Sequence, residues 1–295
     1  MSDIINFIND LFGIESRTTA PIIITLLVFL TGQIIISLKA FWIGIIKRRT
    51  TRKLFIEIIR EAIKKSRKQE KIFIEISEFV EFDRISDISL TRMQFYGLKF
   101  FDDVGFNLVY QSYFFGIENL TLFNSKRSKS KAFYKCIDVL KSVDFWTNAS
   151  YVKIEELLNS YNEYGQERNH ALTNLESLVE KLITNFIDNP KFHEDEYLAE
   201  LSGINASYQK LKNTKPHIVH EKLIVPLTNL NIQFKANDDI LLMNRYLRQA
   251  SLQYLNMNKV LKTIRKQLFL YSSSFRYNYR VLEKSFETLN RRLCL

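Results

Sequence analysis

The stretch APIIITLLVFLTGQIIISL, residues 20–38, decides how this 295-residue chain is read, because it carries no charged side chain and, beyond Lys39, runs on as AFWIGII to Ile46. At a helical rise of about 1.5 Å per residue, about 20 residues cross a hydrocarbon core roughly 30 Å thick. Residues 20–46 therefore predict one transmembrane helix with length to spare for tilt. A cleavable signal peptide needs a basic leader and a shorter apolar run, whereas the residues before this stretch include Asp3, Asp10 and Glu15. The span is expected to be retained.

On the C-terminal side of the span stand Lys47, Arg48, Arg49, Arg52, Lys53, Arg60, Lys64, Lys65, Arg67, Lys68 and Lys71, against Arg17 on the other side. Basic residues collect on the cytoplasmic side, so the large C-terminal part is expected in the cytoplasm and the N-terminus outside an inner (cell) membrane. Residues 1–19 then form an extracytoplasmic amphipathic segment, with Ile4, Ile5, Ile8, Leu11 and Phe12 opposite Asn6, Asn9 and Asp10. Residues 47–71, carrying Ile56, Ile59 and Ile63 at helical spacing, predict a basic juxtamembrane helix continuing from the span. Its first cations, Lys47, Arg48, Arg49, Arg52 and Lys53, are the expected contacts for anionic inner-leaflet headgroups, at about 1 kcal/mol per residue near the surface.

Within the span, Lys39 lies close enough to the cytoplasmic end to snorkel; the other reading places it at a helix interface. Gln33, Ser37, Ala40 and Gly44, at 4-3-4 spacing, put small or polar groups on one stripe. Small residues let helices approach closely in lipid and Gln hydrogen-bonds across such a contact, so this stripe predicts a homo-oligomer.

The remainder, residues 72–295, reads as an all-α cytoplasmic domain: an elongated bundle with long coiled-coil-like helices. Only 8 Gly and 4 Pro interrupt the chain, too few for the turns of a β-rich fold. Phe79, Phe82, Ile85 and Ile88 suggest a helix, and Phe95–Leu122 an aromatic-rich buried element. Ile154, Leu158, Tyr161, Gly165, Arg168, Leu172, Leu175, Val179, Leu182 and Phe186 then follow the 4,3 alternation that lets helices pack along a seam. That helix, 151–187, is expected to stop at Asp188-Asn189-Pro190. Gly165 and Arg168 interrupt its stripe and mark a bend or a register-setting polar layer. A second long helix over 258–292 carries Leu261, Ile264, Leu268, Tyr271, Phe275, Asn278 and Leu282. Between the two lie a helix over 194–211, a Pro-bounded stretch from Pro216 to Pro226, and a helix over 238–256; the segment from Ile218 to Phe234, a mix of β-branched and apolar residues, admits a helix, a short strand or an extended connector.

Catalytic signatures are missing: GxxxxGK[ST], GxGxxG and GxSxG do not occur. His217 and His220 are the closest histidine pair, but no Cys or acidic pattern completes a metal site. His193-Glu194-Asp195-Glu196 reads as an acidic helix start. Cys136 and Cys294 read as free thiols in a reducing compartment. No catalytic residue, metal or cofactor is assigned.

A net charge of +10 admits a second class of partner. Lys126, Arg127, Lys129 and Lys131 with Phe133 and Tyr134, and Arg276 and Arg280 with Tyr277 and Tyr279, are the candidate nucleic-acid contacts of this alternative. An anionic membrane accounts for the same charge and is preferred. Abundant Ile, Lys, Asn, Phe and Tyr suggest an A/T-rich bacterial genome. The layout, a span joined to a helical body, is similar to that of bacterial stress and phage-defence (antiviral) membrane effectors in plan only, with no residues in common assigned. The expectation is a membrane-anchored interaction or assembly protein, sensing or executing a membrane response with itself or another protein as partner; the alternative is a membrane-tethered nucleic-acid binder.

Overall fold

The computed structural model describes residues 6–7, 10, 16–80, 85, 99–115, 123–189, 191, 194–211 and 215–290. The expected amphipathic face at Ile4, Ile5, Ile8, Leu11 and Phe12 lies outside them, as do Phe82, Ile88, Pro190, His193 and Cys294. Among the described residues every regular element is helical, and the fold is all-α.

Helix α1 spans Ser16–Phe79 without a break, so the apolar run and the basic run after it share one helix. Pro21 lies inside the helix, past its first turn, so its missing N–H leaves one backbone carbonyl without its helical partner. Lys99–Val104 (α2) and Phe106–Phe114 (α3) are hinged at Gly105, whose φ of 82° is left-handed backbone that favours glycine. Helix α4 spans Phe123–Asp188, nearly twice the predicted length, and ends where the Pro190 signal placed its stop. Glu196–Leu211 is α5; Asp195 Oδ1 accepts the Leu198 N–H at 3.1 Å, an N-cap.

The segment from Ile218, open in the sequence to strand or connector, is helical as far as Gln233. Pro216–Val219 (α6) runs into a π-helical turn, His220–Ile224, and then into α7, Val225–Gln233. Pro226 supplies the cause: it has no N–H to donate four residues back and its ring crowds that carbonyl, so the preceding turn widens. Helix α8 spans Asp238–Asn290, merging the two helices predicted over 238–256 and 258–292. Its start is capped by Asn237 Oδ1, which accepts the Ile240 N–H at 2.8 Å.

Two compact units arise from these elements. The first comprises residues 1–60, 97–134 and 285–295. Its core is aromatic: Phe55 is wholly buried, with the rings of Phe101, Tyr113 and Phe133 at 5.8, 5.8 and 5.6 Å. Tyr110 and Phe114 add a pair at 4.5 Å. Such ring pairs contribute about 0.5–1.5 kcal/mol beyond the area they bury.

The second unit comprises residues 61–96 and 135–284. Both predicted stripes face its interior: Ile154, Tyr161, Arg168, Leu172, Leu175, Val179 and Leu182 of α4 are buried, as are Leu261, Ile264, Leu268, Tyr271, Phe275, Asn278 and Leu282 of α8. Phe73 of α1 lies between Tyr151, Tyr271 and Phe275 at 5.8–6.3 Å. Where α1 stops, the Arg265 guanidinium donates to the carbonyls of Ser77 and Val80, both at 3.1 Å, satisfying acceptors the helix itself leaves open. Around α5 and α7, Tyr197 donates to Asn231 Oδ1 at 2.9 Å and Asn231 to Asn244 at 2.8 Å, while burial pushes the Tyr197 phenol up to about 12.

Candidate functional site

From residue 21 to residue 46, α1 presents large apolar side chains in every direction and leaves them uncovered; Phe29 is 62% exposed and Trp42 60%. This is a helix long and apolar enough to cross a membrane, and its most apolar window has no residue buried within the protein. Its two threonine hydroxyls are satisfied internally: Thr25 donates to the Pro21 carbonyl at 2.8 Å and Thr31 to that of Leu27 at 2.7 Å, which suits surroundings without water.

The stripe predicted for association lies on this surface, with Gln33, Ser37 and Ala40 exposed and Gly44 half-buried. What half-buries Gly44 is Arg48, one turn on, whose Nη1 lies 3.4 Å from where a Cβ on Gly44 would stand. Helical side chains lean toward the N-terminus, which brings the guanidinium back over the glycine.

Of the predicted headgroup contacts, Lys47, Arg49 and Lys53 are exposed, and Arg48 and Arg52 half-buried. The Arg52 guanidinium rests over the Tyr113 ring, 4.7 Å from its centre. Lys129, which the sequence assigns to the other candidate surface, comes into the same neighbourhood: burial, and then the Arg52 charge, hold its ammonium below the usual lysine value. Lys126, 5.7 Å above the Phe115 ring, and Arg127 and Lys131 are exposed nearby in sequence on α4. The run at 126–131 thus belongs to the unit that carries the apolar segment.

Arg276 and Arg280 belong to the second unit. Arg276 is held 2.5 Å from Glu70 Oε1, and Arg67, over the Tyr279 ring at 5.3 Å, pairs with Glu283. Arg280 is exposed and, with Arg276, Tyr277 and Lys284, lines a shallow groove on α8.

Cys136 is buried in the first turns of α4 within the second unit, and burial pushes its thiol up to about 12, which makes it a packing residue at neutral pH. Among the described residues no three His, Cys, Asp or Glu gather as a metal site. His217 lies in α6, and His220, opening the π turn, stacks on Tyr254 with ring centres 4.2 Å apart.

One set of residues escaped the sequence. Beyond residue 50, α1 buries Thr51, Phe55, Ile59, Ala62, Ser66, Gln69, Glu70, Phe73 and Ser77, and Val80, just past its end, is buried as well. Of the predicted trio Ile56, Ile59 and Ile63, Ile59 alone is buried. The stripe keeps a helical period but alternates apolar with polar side chains, so hydropathy hides it.

No protein-family model, curated protein or solved structure matches the chain. What the arrangement supplies is therefore read from its own chemistry: an apolar cylinder of bilayer length, followed by a collar of cations and aromatic rings.

Proposed function

We propose that the chain is a single-span membrane anchor and assembly protein, with residues 21–46 in the bilayer, the C-terminal body in the cytoplasm of a bacterial cell, and several copies meeting along Gln33, Ser37, Ala40 and Gly44. The observation that carries this reading is the uncovered apolar surface of α1 between Pro21 and Ile46. Left in water, that surface is a large aggregation liability; in lipid it is matched. The exposed cations Lys47, Arg49 and Lys53 follow it directly, and Arg52 over Tyr113 adds the aromatic ring common at an interface. A cationic collar on one side argues for the cytoplasmic body and for an anionic inner leaflet as its first partner. A single span encloses no pore, so any effect on permeability requires several copies. A sensor or effector of a membrane response, in stress or phage defence, is the role this plan suits best.

The test is a pair of topology reporters, one after Leu295 and one at the N-terminus. Cytoplasmic activity of the first and extracytoplasmic activity of the second are expected. The reverse pattern would overturn the orientation.

The groove of Arg276, Tyr277, Arg280 and Lys284 favours a second reading, a tethered nucleic-acid binder, although Arg276 is engaged by Glu70. Counterion release makes such binding steeply salt-dependent. Retention of single-stranded or duplex nucleic acid by the purified chain, lost as salt rises and lost in Arg280→Ala, is what this second reading requires.

A further inference from the structure

We propose that Arg168 is the anchor of an oxyanion site inside the second unit, built for a phosphate group and lined by Tyr161, Tyr208, His220 and Tyr254. Arg168 sits in the middle of the α4 stripe, at a position where the heptad pattern calls for an apolar side chain, and is 3% exposed. Its Nη1 donates to Asn169 Oδ1 at 3.3 Å. Its Nε and Nη2, also buried, have no hydrogen-bond partner. Those two N–H groups are the parallel edge of the guanidinium fork that grips two oxygens of a carboxylate or phosphate at once. A buried guanidinium stays charged at any physiological pH, so an edge without an anion is a standing cost to the fold.

The residues around it do not supply that anion. Tyr161, Tyr208 and Tyr254 lie near enough to feel the guanidinium, and their neutral side chains bring hydroxyl dipoles. Glu167, next in sequence, accepts the Gln253 amide. Glu176 acts on Tyr208, and Glu221 on His220 and Tyr254, but neither hydrogen-bonds the open edge. His220 is held below its ordinary value by burial and by Arg168, so it is neutral at pH 7. The π turn caused by Pro226 begins at His220, and π turns inside helices recur at ligand sites.

Phosphate fits this set better than carboxylate. The fork takes two oxygens, and a phosphate keeps further oxygens able to accept from a hydroxyl or an imidazole N–H, which a carboxylate does not have. Because the edge is sealed from water, the ligand enters through local opening of the helices around it. The inference stands apart from the membrane reading: it concerns the second unit alone.

The test uses the full chain in detergent, with inorganic phosphate and glycerol 3-phosphate titrated separately at constant ionic strength, sodium chloride serving as the control. A saturable rise in melting temperature with either phosphate, absent with chloride, is expected, and whichever ligand binds more tightly tells whether the site takes the free anion or an ester. Arg168→Met should abolish that rise while melting, without ligand, at least as high as the parent, since it removes an unpaired buried charge. Arg168→Lys, which keeps charge but loses the fork, should weaken binding at least tenfold, and it keeps the test open if the methionine variant fails to fold. No phosphate-specific rise in the parent, or the same rise in both variants, would overturn the site.

Discussion

The two stretches of α1 on either side of residue 47 follow different rules along one unbroken helix. From 21 to 46 side chains such as Phe29, Ile35 and Trp42 stand exposed although they are apolar. From 51 to 80 the chain is far more polar, yet Phe55, Ile59, Ala62, Phe73 and Val80 are buried, together with Ser66, Gln69 and Glu70. Burial here follows period and neighbours rather than mean polarity. The first stretch is apolar all round, the composition of a helix whose surroundings are themselves apolar. The second has a single inward stripe, the composition of a helix packed on other helices in water.

The contrast is broken most forcefully by paired truncations. Phe73→Ala, at a site 1% exposed, should destabilise the second unit by about 3–5 kcal/mol, whereas Phe29→Ala, at 62%, should change its unfolding by less than about 0.5 kcal/mol. Chemical denaturation of both variants in the same detergent checks this, and equal losses would erase the distinction. The inward rule extends to α4. Leu175→Asp and Leu182→Asp should each cost several kcal/mol, because both side chains are buried and a charge there finds no partner. Unchanged melting would mean that this stripe is not the core.

A finer question is whether the apolar stretch is uniform. If its Gln33, Ser37, Ala40, Gly44 stripe joins copies, Gln33→Leu should weaken association by about 0.6–2 kcal/mol, and Ala40→Leu or Gly44→Leu should hold the backbones apart. Ile34→Leu, on another face, should assemble like the parent. Native mass in detergent reads all four. Monomers throughout, or no difference among variants, would make the stripe tolerated polarity.

The smallest effect concerns the inward stripe of α4 at its weakest knob. A Cβ on Gly165 would meet Met257 Cε at 3.8 Å, an ordinary contact, so Gly165→Ala should stabilise by up to about 1 kcal/mol. A loss of stability would reveal a close approach that 3.8 Å does not contain.

These outcomes follow the line between what the sequence discloses and what it hides. Helices α4 and α8 were legible because Ile154 to Leu182 and Leu261 to Leu282 keep a 4,3 alternation with few breaks. The apolar segment was legible from length and charge alone. Helix lengths were not: nothing in the sequence requires α4 to begin before residue 151, and the merging of 238–256 with 258–292 depends on packing. The Ile218 to Phe234 stretch stayed open because β-branched residues suit strands, whereas here Leu223, Ile224, Leu227 and Leu230 pack inward on a helix widened by Pro226. The inward stripe of α1 escaped because half its members are polar. At Arg168 the sequence marked an interruption, but only the fold discloses an edge of the guanidinium without a partner.

The most direct test of the account is extraction of the full-length chain from cell membranes at alkaline pH, beside a variant carrying Leu27→Lys and Ile35→Lys. The parent should stay in the membrane until detergent is added, and the double variant, with two charges set in the apolar cylinder, should be released or fail to insert. Release of the parent into the alkaline wash would contradict the claim that residues 21–46 span a bilayer.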